Sequence, residues 1–585
     1  MNILGLNYIF HDTSACVISD HMVKCAIEEE RLLRQKHTPV FPYRAIARCL
    51  AQSGLTHDDL DHIAVSINPN VAMPEKIQYA ASLRPAVRDF MFTEIEEQNE
   101  KHLTFWKWYN ALWPEDKQKR PRVHFVDHHH SHAVGSFLVS PWEEAALLAV
   151  DGGGEWRTLW MGQAKGGAVE QFSETLFPHS LGTFYSAVTE FCGFKTEYDE
   201  GKTMGLAPTG DPKRFFEVVD GMVDVDDEGA VRLDPSWFEL PVSISGRYCS
   251  AKMISALGTP RSPREPIADH HRDAAAAFQA VLEKKILKIT AMLSKKTGMR
   301  HLVHSGGVAL NSVVNGRILQ EGHFDDIYIM PGAGDSGTSI GAAACVYKQV
   351  LKQPAKLHHA DPFIGDAYSH QEIEAFLKQA KIRYRRSTDV CAEAAGALHK
   401  GDIIGWFQGK MEFGPRALGG RSILADPTKA GMKDKINAEV KHREAFRPFA
   451  PSVLEERATE YFESTVPVPF MLTVFPVVEA ARATIPAVVH VDNTARLQTV
   501  AKDSNPKYHR LIEEFSKLSG HPVILNTSFN VMDEPIVASP YDAVRCFYST
   551  GIDTLFIGDF VLEKAPIKER ATSNIRELAG SEHFV

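Results

Sequence analysis

Short apolar runs broken by small polar turns open the chain: Ile3-Leu4-Gly5-Leu6, then His11-Asp12-Thr13-Ser14, then Ala15-Cys16-Val17-Ile18 and Val23-Lys24-Cys25-Ala26-Ile27. Runs of this length bounded by turn formers predict buried strands joined by tight turns. The design returns at Ala145-Ala146-Leu147-Leu148-Ala149-Val150, closed by Asp151 and three glycines and followed by Thr158-Leu159-Trp160-Met161. Its repetition predicts a duplicated α/β architecture. The period then changes: Phe278, Val281, Leu282, Ile286, Ile289 and Leu293 form one stripe within 272–297, which predicts an amphipathic helix. His301-Leu302-Val303 runs into Ser305-Gly306-Gly307 and a helical pattern from Ala309 to Leu319. Ile327-Tyr328-Ile329-Met330 repeats this, ahead of Pro331-Gly332-Ala333-Gly334-Asp335-Ser336-Gly337 and a small-residue helix around Gly341 to Ala343. Strand, glycine turn and helix together let backbone approach a phosphate or ribose at a helix amino terminus.

Pro354 to about Tyr368 is irregular and marks a domain boundary, which gives domains at 1–355 and 370–585. Beyond it the pattern predicts a helix from Glu372 to Ala380, a strand at Ile382-Arg383-Tyr384, a helix from Val390 to His399 and a strand at Ile403 to Phe407. Two later strands, His490 to Gln498 and Val523 to Asn530, end in polar groups. Arg496 and Gln498 share a face of the first; Asn526, Ser528 and Asn530 share a face of the second. Each set either offers hydrogen bonds to one ligand or closes its own turn. Residues 75–120 are helix-prone, with Phe105, Trp106, Trp108, Tyr109 and Trp113. They are either an insertion that shapes a substrate cleft or an aromatic core face.

Composition narrows the function classes. The 585 residues are 44% hydrophobic and 24% charged, with a net charge of −10, so the overall field does not favour a nonspecific grip on nucleic acid or on an anionic membrane. Eight cysteines without a C-x-x-C pair argue against a zinc knuckle or a disulfide framework. No apolar run approaches the ~18 residues that span a bilayer, and a cytoplasmic location is expected. Inside this acidic chain, Lys410 to Arg447 carries nine Lys or Arg against five Asp or Glu. Arg416, Arg421, Lys441, Arg443 and Arg447 have the chemistry to bind phosphoryl and carboxylate oxygens; the alternative is a solvated basic face.

The densest imidazole run is Asp127-His128-His129-His130-Ser131-His132. On a helix, His128 and His132 project from one face and can bind one divalent ion, with a carboxylate such as Asp151 completing the set. Histidine and carboxylate without thiolate suit iron, manganese or zinc. His129 and His130 fall outside the pair and are expected to be supporting or structural.

Taken in order, these segments resemble the O-carbamoyltransferase family that includes the nodulation-factor, cephem and aminoglycoside carbamoyltransferases. The residues that carry the resemblance are His11-Asp12, Glu28-Glu29-Glu30-Arg31, Asp127-His128-His129-x-Ser131-His132, Asp151-Gly-x-Gly-Glu155 and Glu200-Gly-Lys202-x-Met204-Gly205-Leu206-Ala207. They continue with Ser305-Gly306-Gly307, Gly332-x-Gly334-Asp335-x-Gly337, Glu412-Phe413-Gly414-Pro415-Arg416-Ala417-Leu418-Gly419-x-Arg421-Ser422, Arg447-Pro448-Phe449-Ala450-Pro451 and Asn526-Thr527-Ser528-Phe529-Asn530. The resemblance implies an α/β fold with an actin-like (Kae1-like), two-lobed N-terminal domain and a YrdC-like α/β C-terminal domain.

It also implies chemistry. The C-terminal domain is expected to convert carbamoyl phosphate and ATP to carbamoyladenylate, releasing phosphate and pyrophosphate, with magnesium accompanying ATP. The N-terminal domain is expected to pass the carbamoyl group to a hydroxyl of a sugar, glycolipid or antibiotic. The resemblance assigns His128, His132, Asp151 and Asp335 to iron(II) or another divalent metal; Asp335 enters the set on the resemblance alone. It assigns catalytic roles to His11, the general base, and to Asp12, Lys441 and Arg447. Nucleotide and substrate contacts are expected from Lys36, Glu200, Lys202, Gly306, Gly307 and Asn311 in the first domain. In the second they are expected from Arg416, Arg421, Arg496, Asn526, Ser528 and Asn530. The competing reading is a threonylcarbamoyl-type tRNA-modifying enzyme, since these two folds also serve that reaction. The acidic chain and the Glu412 to Ser422 pattern count against it, and no nucleic-acid partner is expected. A hydrogenase-maturation enzyme is disfavoured by the lack of cysteine-rich zinc fingers, and a noncatalytic ATP-binding scaffold by the retained histidines and basic loop.

Overall fold

The opening apolar runs form the strands Asn2–Asn7, Ser14–Ser19 and Met22–Glu28, paired antiparallel in that order. On its other side Asn2–Asn7 pairs in parallel with His62–Val65, which pairs in parallel with Arg122–Phe125. The computed structural model describes residues 1–68, 70–82, 85–239, 247–353, 357 and 361–564. The second hydrophobic set repeats the plan: Ala145–Val150, Arg157–Lys165 and Ala168–Leu176 are antiparallel, and Ala145–Val150 continues in parallel to His301–Ser305 and Asp326–Tyr328. Two five-stranded sheets with one strand order and one set of directions are the expected duplication. The N-terminal part is an α/β fold built on these two like sheets.

The helices His128–Val139 and Thr338–Cys345 share one core with both sheets, in which Ala133, Val134, Ile340 and Ala343 meet Ile3 and Cys16 of the first and Leu147 and Val303 of the second. They cross at glycines. A Cβ on Gly135 would stand 2.3 Å from the Gly341 Cα, and one on Gly341 would stand 2.1 Å from the Ser131 carbonyl oxygen. This close crossing, which no other residue type allows, packs the histidine helix against the turn that bears Asp335. The stripe predicted in 272–297 lies on the helix Asp269–Thr297, and its six residues are buried. Each contributes roughly 1.5–3 kcal/mol by leaving water. The helix ends at Gly298 in the left-handed conformation.

The aromatic stretch is core. Phe105, Tyr109 and Trp113 are buried with Leu4, Leu6 and Val65 against the first sheet, from the helix Pro85–Leu112 and the residue after it. The expected boundary at 354–368 is described only in part, since 354–356 and 358–360 lie outside the described residues, as do 565–585 of the second expected domain. Within the described part, Gly365 and Asp366 bond the Met411 backbone, Pro362 accepts from the Phe413 N–H, and Ile364 accepts from the Ala26 N–H.

Apart from the antiparallel pair Val223–Val225 and Val231–Leu233, the remaining strands build one nine-stranded mixed sheet in a second α/β part. Its order is Arg385–Arg386, Phe560–Glu563, Thr554–Ile557, Ile404–Phe407, Arg421–Ala425, Val523–Ser528, Ala450–Leu454, Thr494–Val500 and Thr473–Pro476. The helices Val390–Lys400 and Pro506–Ser519 pack on it around Trp406 and Ile524. The strand expected at Ile382 to Tyr384 is displaced to Arg385–Arg386, because its register is set by pairing with Phe560 and Val561. Among the described residues no helix is long and apolar enough to cross a membrane.

Candidate active site

His128 and His132 lie one turn apart at the start of their helix, where Asp127 caps the chain by accepting from the His130 N–H at 2.9 Å. Their Nε2 atoms stand 3.1 Å apart. Asp151, just past the strand Ala145–Val150, brings Oδ2 to 3.5 Å from His128 Nε2 and 3.2 Å from His132 Nε2; Asp335 Oδ1 lies 3.5 Å from each. The other oxygen of Asp151 is committed, accepting from the Gly152 and Gly307 N–H groups at 2.8 and 3.1 Å, whereas Oδ2 is buried without a hydrogen-bond partner. Burial resists charge on the imidazoles, but Asp335 and Asp151 hold both above the ordinary histidine range. Against the same burial the imidazoles hold Asp335 down at about 2. Four convergent, mutually charged ligand atoms and one unclaimed oxygen fit a divalent cation standing where the imidazole protons otherwise must. Glu155 fixes the approach: both its oxygens accept from the His128 N–H at 3.0 Å. His129 is buried with neither ring nitrogen bonded, and His130 bonds Gln349 at 2.8 Å.

The first turn supplies a second group. Asp12 adopts φ +54° and divides its carboxylate between two imidazoles, His11 Nδ1 at 2.9 Å and His37 Nδ1 at 2.7 Å. Each ring therefore keeps Nε2 for something else. Burial opposes a charged His11, but the hydrogen bond and charge of Asp12, then Asp335 and Glu197, push it up to about 10. His37 also packs edge-on against Tyr198, with ring centroids 4.6 Å apart, and its N–H bonds Glu30 at 2.8 Å.

The third group is cationic. Lys441 points Nζ at the Ser528 carbonyl, the Asn530 carbonyl at 3.1 Å and Asn530 Oδ1 at 2.7 Å; burial, then Arg443, holds its pKa well below the usual lysine value. Burial and Arg447 lower Arg416 to about 10, and burial, then Arg416, Arg443 and Arg447, push Arg496 well down. The Nε atoms of Arg416 and Arg496 are buried without a partner. The nearest carboxylate to Arg447 is Glu444, at 4.0 Å. Crowded guanidinium groups this poorly neutralised have the chemistry to hold a polyanion.

All three groups meet in one cavity of about 460 Å³. Its wall includes His11, Asp12, Asp151 and Asp335, and on the far side Arg416, Lys441, Arg447 and Arg496. Lys36, Glu200, Lys202, Gly307 and Asn311 also line it, as do Asn526, Ser528 and Asn530. Several of these are already engaged. Asn526 spends Nδ2 on Ala417, Ser452 and Gln498, Asn311 caps the helix Ser312–Gln320, and Lys202 pairs with Asp199 at 3.0 Å. Four expected ligand residues lie outside the wall: His128 and His132 stand behind Asp151 and Asp335, and Gly306 and Arg421 are turned to other work. Gly306 is pressed against strand Ala145–Val150, where a Cβ would stand 2.3 Å from the Val150 carbonyl oxygen. Arg421 is fully buried, donates to the carbonyls of Asp366, Gln408, Gly409 and Gly420, and stacks on Phe407. It braces the loop that carries Arg416. Sequence reasoning missed His37; its only local signal is its place next to Lys36.

Both halves of the chain match known proteins. The family models described as carbamoyltransferase N-terminus and carbamoyltransferase C-terminus match residues 2–345 and 395–564. An uncharacterized protein of Synechocystis sp. is 39% identical, covering 97% of this chain and 98% of its own length. Nodulation protein NolNO of Sinorhizobium fredii is 36% identical over 95% of this chain and 80% of its own. Nodulation protein NolO of Bradyrhizobium diazoefficiens is 39% identical over 75% and 79%. Among solved structures, full-length HypF in its phosphate- and nucleotide-bound form aligns with a TM-score of 0.30 at 14% identity, over 61% of this chain and 47% of that one. With both halves of its length matched by the two family models, the chain belongs to the carbamoyltransferase family of enzymes.

Proposed function

We propose that the protein makes carbamoyladenylate from carbamoyl phosphate and ATP at the cationic end of the cavity. It then passes the carbamoyl group to a hydroxyl of a sugar or natural-product acceptor at the imidazole end. The observation that carries this reading is that one cavity wall holds Asp151, Asp335 and His11 as well as Arg416, Lys441, Arg447 and Arg496. Two polyanionic substrates need such a cluster, and an adenylate formed there has no need to leave the protein before its carbamoyl group is used.

The atoms balance with one water: carbamoyl phosphate, ATP and water give carbamoyladenylate, pyrophosphate and phosphate. In the second step the acceptor oxygen bonds to the carbamoyl carbon, the bond from that carbon to the phosphate oxygen breaks, and AMP leaves. The hydroxyl proton goes to His11 Nε2, the ring nitrogen that Asp12 leaves available. Asp12 orients the ring and stabilises the imidazolium that forms. Asp12 is the main influence that holds a proton on His11 and Asp335 adds to it, so a cation at Asp335 would lower the His11 pKa toward the range in which the imidazole accepts. His128, His132, Asp151 and Asp335 would hold iron(II) or another divalent metal, which supplies electrophilic stabilisation of the phosphate leaving group when bound.

The test is mass spectrometry of the protein with ATP, carbamoyl phosphate, magnesium and iron(II), without acceptor. Carbamoyladenylate and pyrophosphate are the expected products. Nucleotide binding without either product would refute the activation chemistry.

A further inference from the structure

The run Glu28-Glu29-Glu30-Arg31 has no part in the chemistry derived so far, and its four side chains divide in two. Glu29 accepts from the N–H groups of Arg44 and Ala45 at the start of the helix Tyr43–Gln52, and Glu30 accepts from the His37 N–H. Glu30 also stands 3.5 Å from Arg31 Nε, and with Glu28 and Arg31 it borders the cavity. Glu28 and Arg31, nearly inaccessible to solvent, reach across to the Glu412 loop and take both polar groups of one residue there. The Gly414 N–H donates to Glu28 Oε1 at 2.7 Å, and Arg31 Nη2 donates to the Gly414 carbonyl. Glu28 and Arg31 lie 3.6 Å apart and complete a closed ring of contacts around that residue.

The opposite side of Gly414 is equally confined. Its φ is +99°, and a Cβ there would stand 2.4 Å from the Pro331 carbonyl oxygen, in the turn that leads to Asp335. A Cβ on Gly332 would in turn stand 2.6 Å from the Phe413 ring. At its far end the loop is held by Glu412 Oε1, which accepts from the N–H groups of Leu418, Gly420 and Arg421. Arg416 lies between these two anchors, with its Nε unpartnered in the cavity wall. No side-chain bond fixes that Nε, so the position of Arg416 depends on where its backbone is held.

We propose that Glu28 and Arg31 are positioning residues for the anion site: by holding the Gly414 peptide they aim Arg416, so that a pair in the first lobe sets the affinity of the cationic end for phosphates. Arg34, on the same stretch, supports the assignment. It donates to the carbonyls of Pro535 and Ile536 at 2.7 and 2.6 Å, close to the Asn530 that holds Lys441. The inference rests on reading the cationic end as a phosphate site.

The experiment is a double-mutant cycle on the full chain, read by calorimetric titration with pyrophosphate. Arg31→Met is expected to weaken pyrophosphate binding by about tenfold or more in the wild-type background, and by less than about twofold in Arg416→Ala. A merely structural role for Arg31 would lower the thermal midpoint in both backgrounds without that dependence. Equal losses in both backgrounds, or no loss in the first, would overturn the inference and leave the phosphate reading intact. A wild-type protein that binds no pyrophosphate would overturn both. If Arg31→Met does not fold, the isosteric Glu28→Gln carries the same cycle with the same expected dependence on Arg416.

Discussion

Replacing Arg496 by methionine is expected to make the protein more stable and less active, and one charge accounts for both effects. Arg496 extends from the strand Thr494–Val500 with Nε buried and unpartnered, and burial together with Arg416, Arg443 and Arg447 works against its charge. An uncompensated buried ion costs several kcal/mol. Arg496 keeps partial exposure to the cavity, so the relief on removing it is set lower, at about 1 kcal/mol. If the expected C-terminal domain unfolds as one unit of roughly 200 residues, that corresponds to a thermal midpoint raised by roughly 2–4 °C. On the proposed function the same substitution would delete a charge-assisted bond to a phosphate, worth about 1.5–3 kcal/mol, so acceptor-free pyrophosphate release should fall roughly 10- to 150-fold. Thermal melts with and without pyrophosphate provide the check: added anion should raise the wild-type midpoint more than that of the variant. A lowered midpoint with undiminished pyrophosphate release would refute the reasoning and make Arg496 a structural cation.

Three further predictions separate the parts of the site. Arg421→Met should act oppositely to Arg496→Met, since it leaves the buried Gln408 carbonyl without a donor, while Asp366 and Gly420 keep their backbone N–H partners; a cost of about 1–3 kcal/mol is expected, read as a lower midpoint in thermal melts. His128→Ala with His132→Ala should abolish iron binding measured by elemental analysis while changing acceptor-free adenylate formation by less than about threefold; equal loss of both would contradict the division of the cavity. Asp12→Asn tests the His11 pair through pH. His11 is pushed up to about 10 in the folded protein, so its stabilising effect is complete below its ordinary value of about 6.5 and fades as pH climbs through about 10. The wild-type midpoint should therefore exceed that of Asp12→Asn most on the acid side of that window, and the gap should narrow toward its alkaline end. A gap that widens with pH would reverse the assignment.

What the sequence discloses and what it hides follows from how far each constraint reaches along the chain. Strand and helix periods are local, so the two hairpin units and the Asp269–Thr297 stripe are legible from side-chain spacing alone. His128 and His132 are legible for the same reason, because four residues of helix fix their relation. Asp335 is not, since it joins them through a helix crossing that depends on Gly135 and Gly341, more than two hundred residues apart. Arg416 and Arg421 show the limit most sharply. They share a residue type, a loop and a basic neighbourhood, yet one lines the cavity while the other begins the strand Arg421–Ala425, with its guanidinium enclosed by carbonyls and the Phe407 ring. Nothing local separates them, because the difference is set by where the backbone of residues 366, 408 and 409 closes around the side chain. His37 is hidden for a related reason: its partner Asp12 lies 25 residues away in a turn at positive φ, and no local period ties the two together. The residues hardest to read are therefore those whose partners are backbone groups or strained turns, and in this protein those same contacts hold the loops on which the reactive side chains sit.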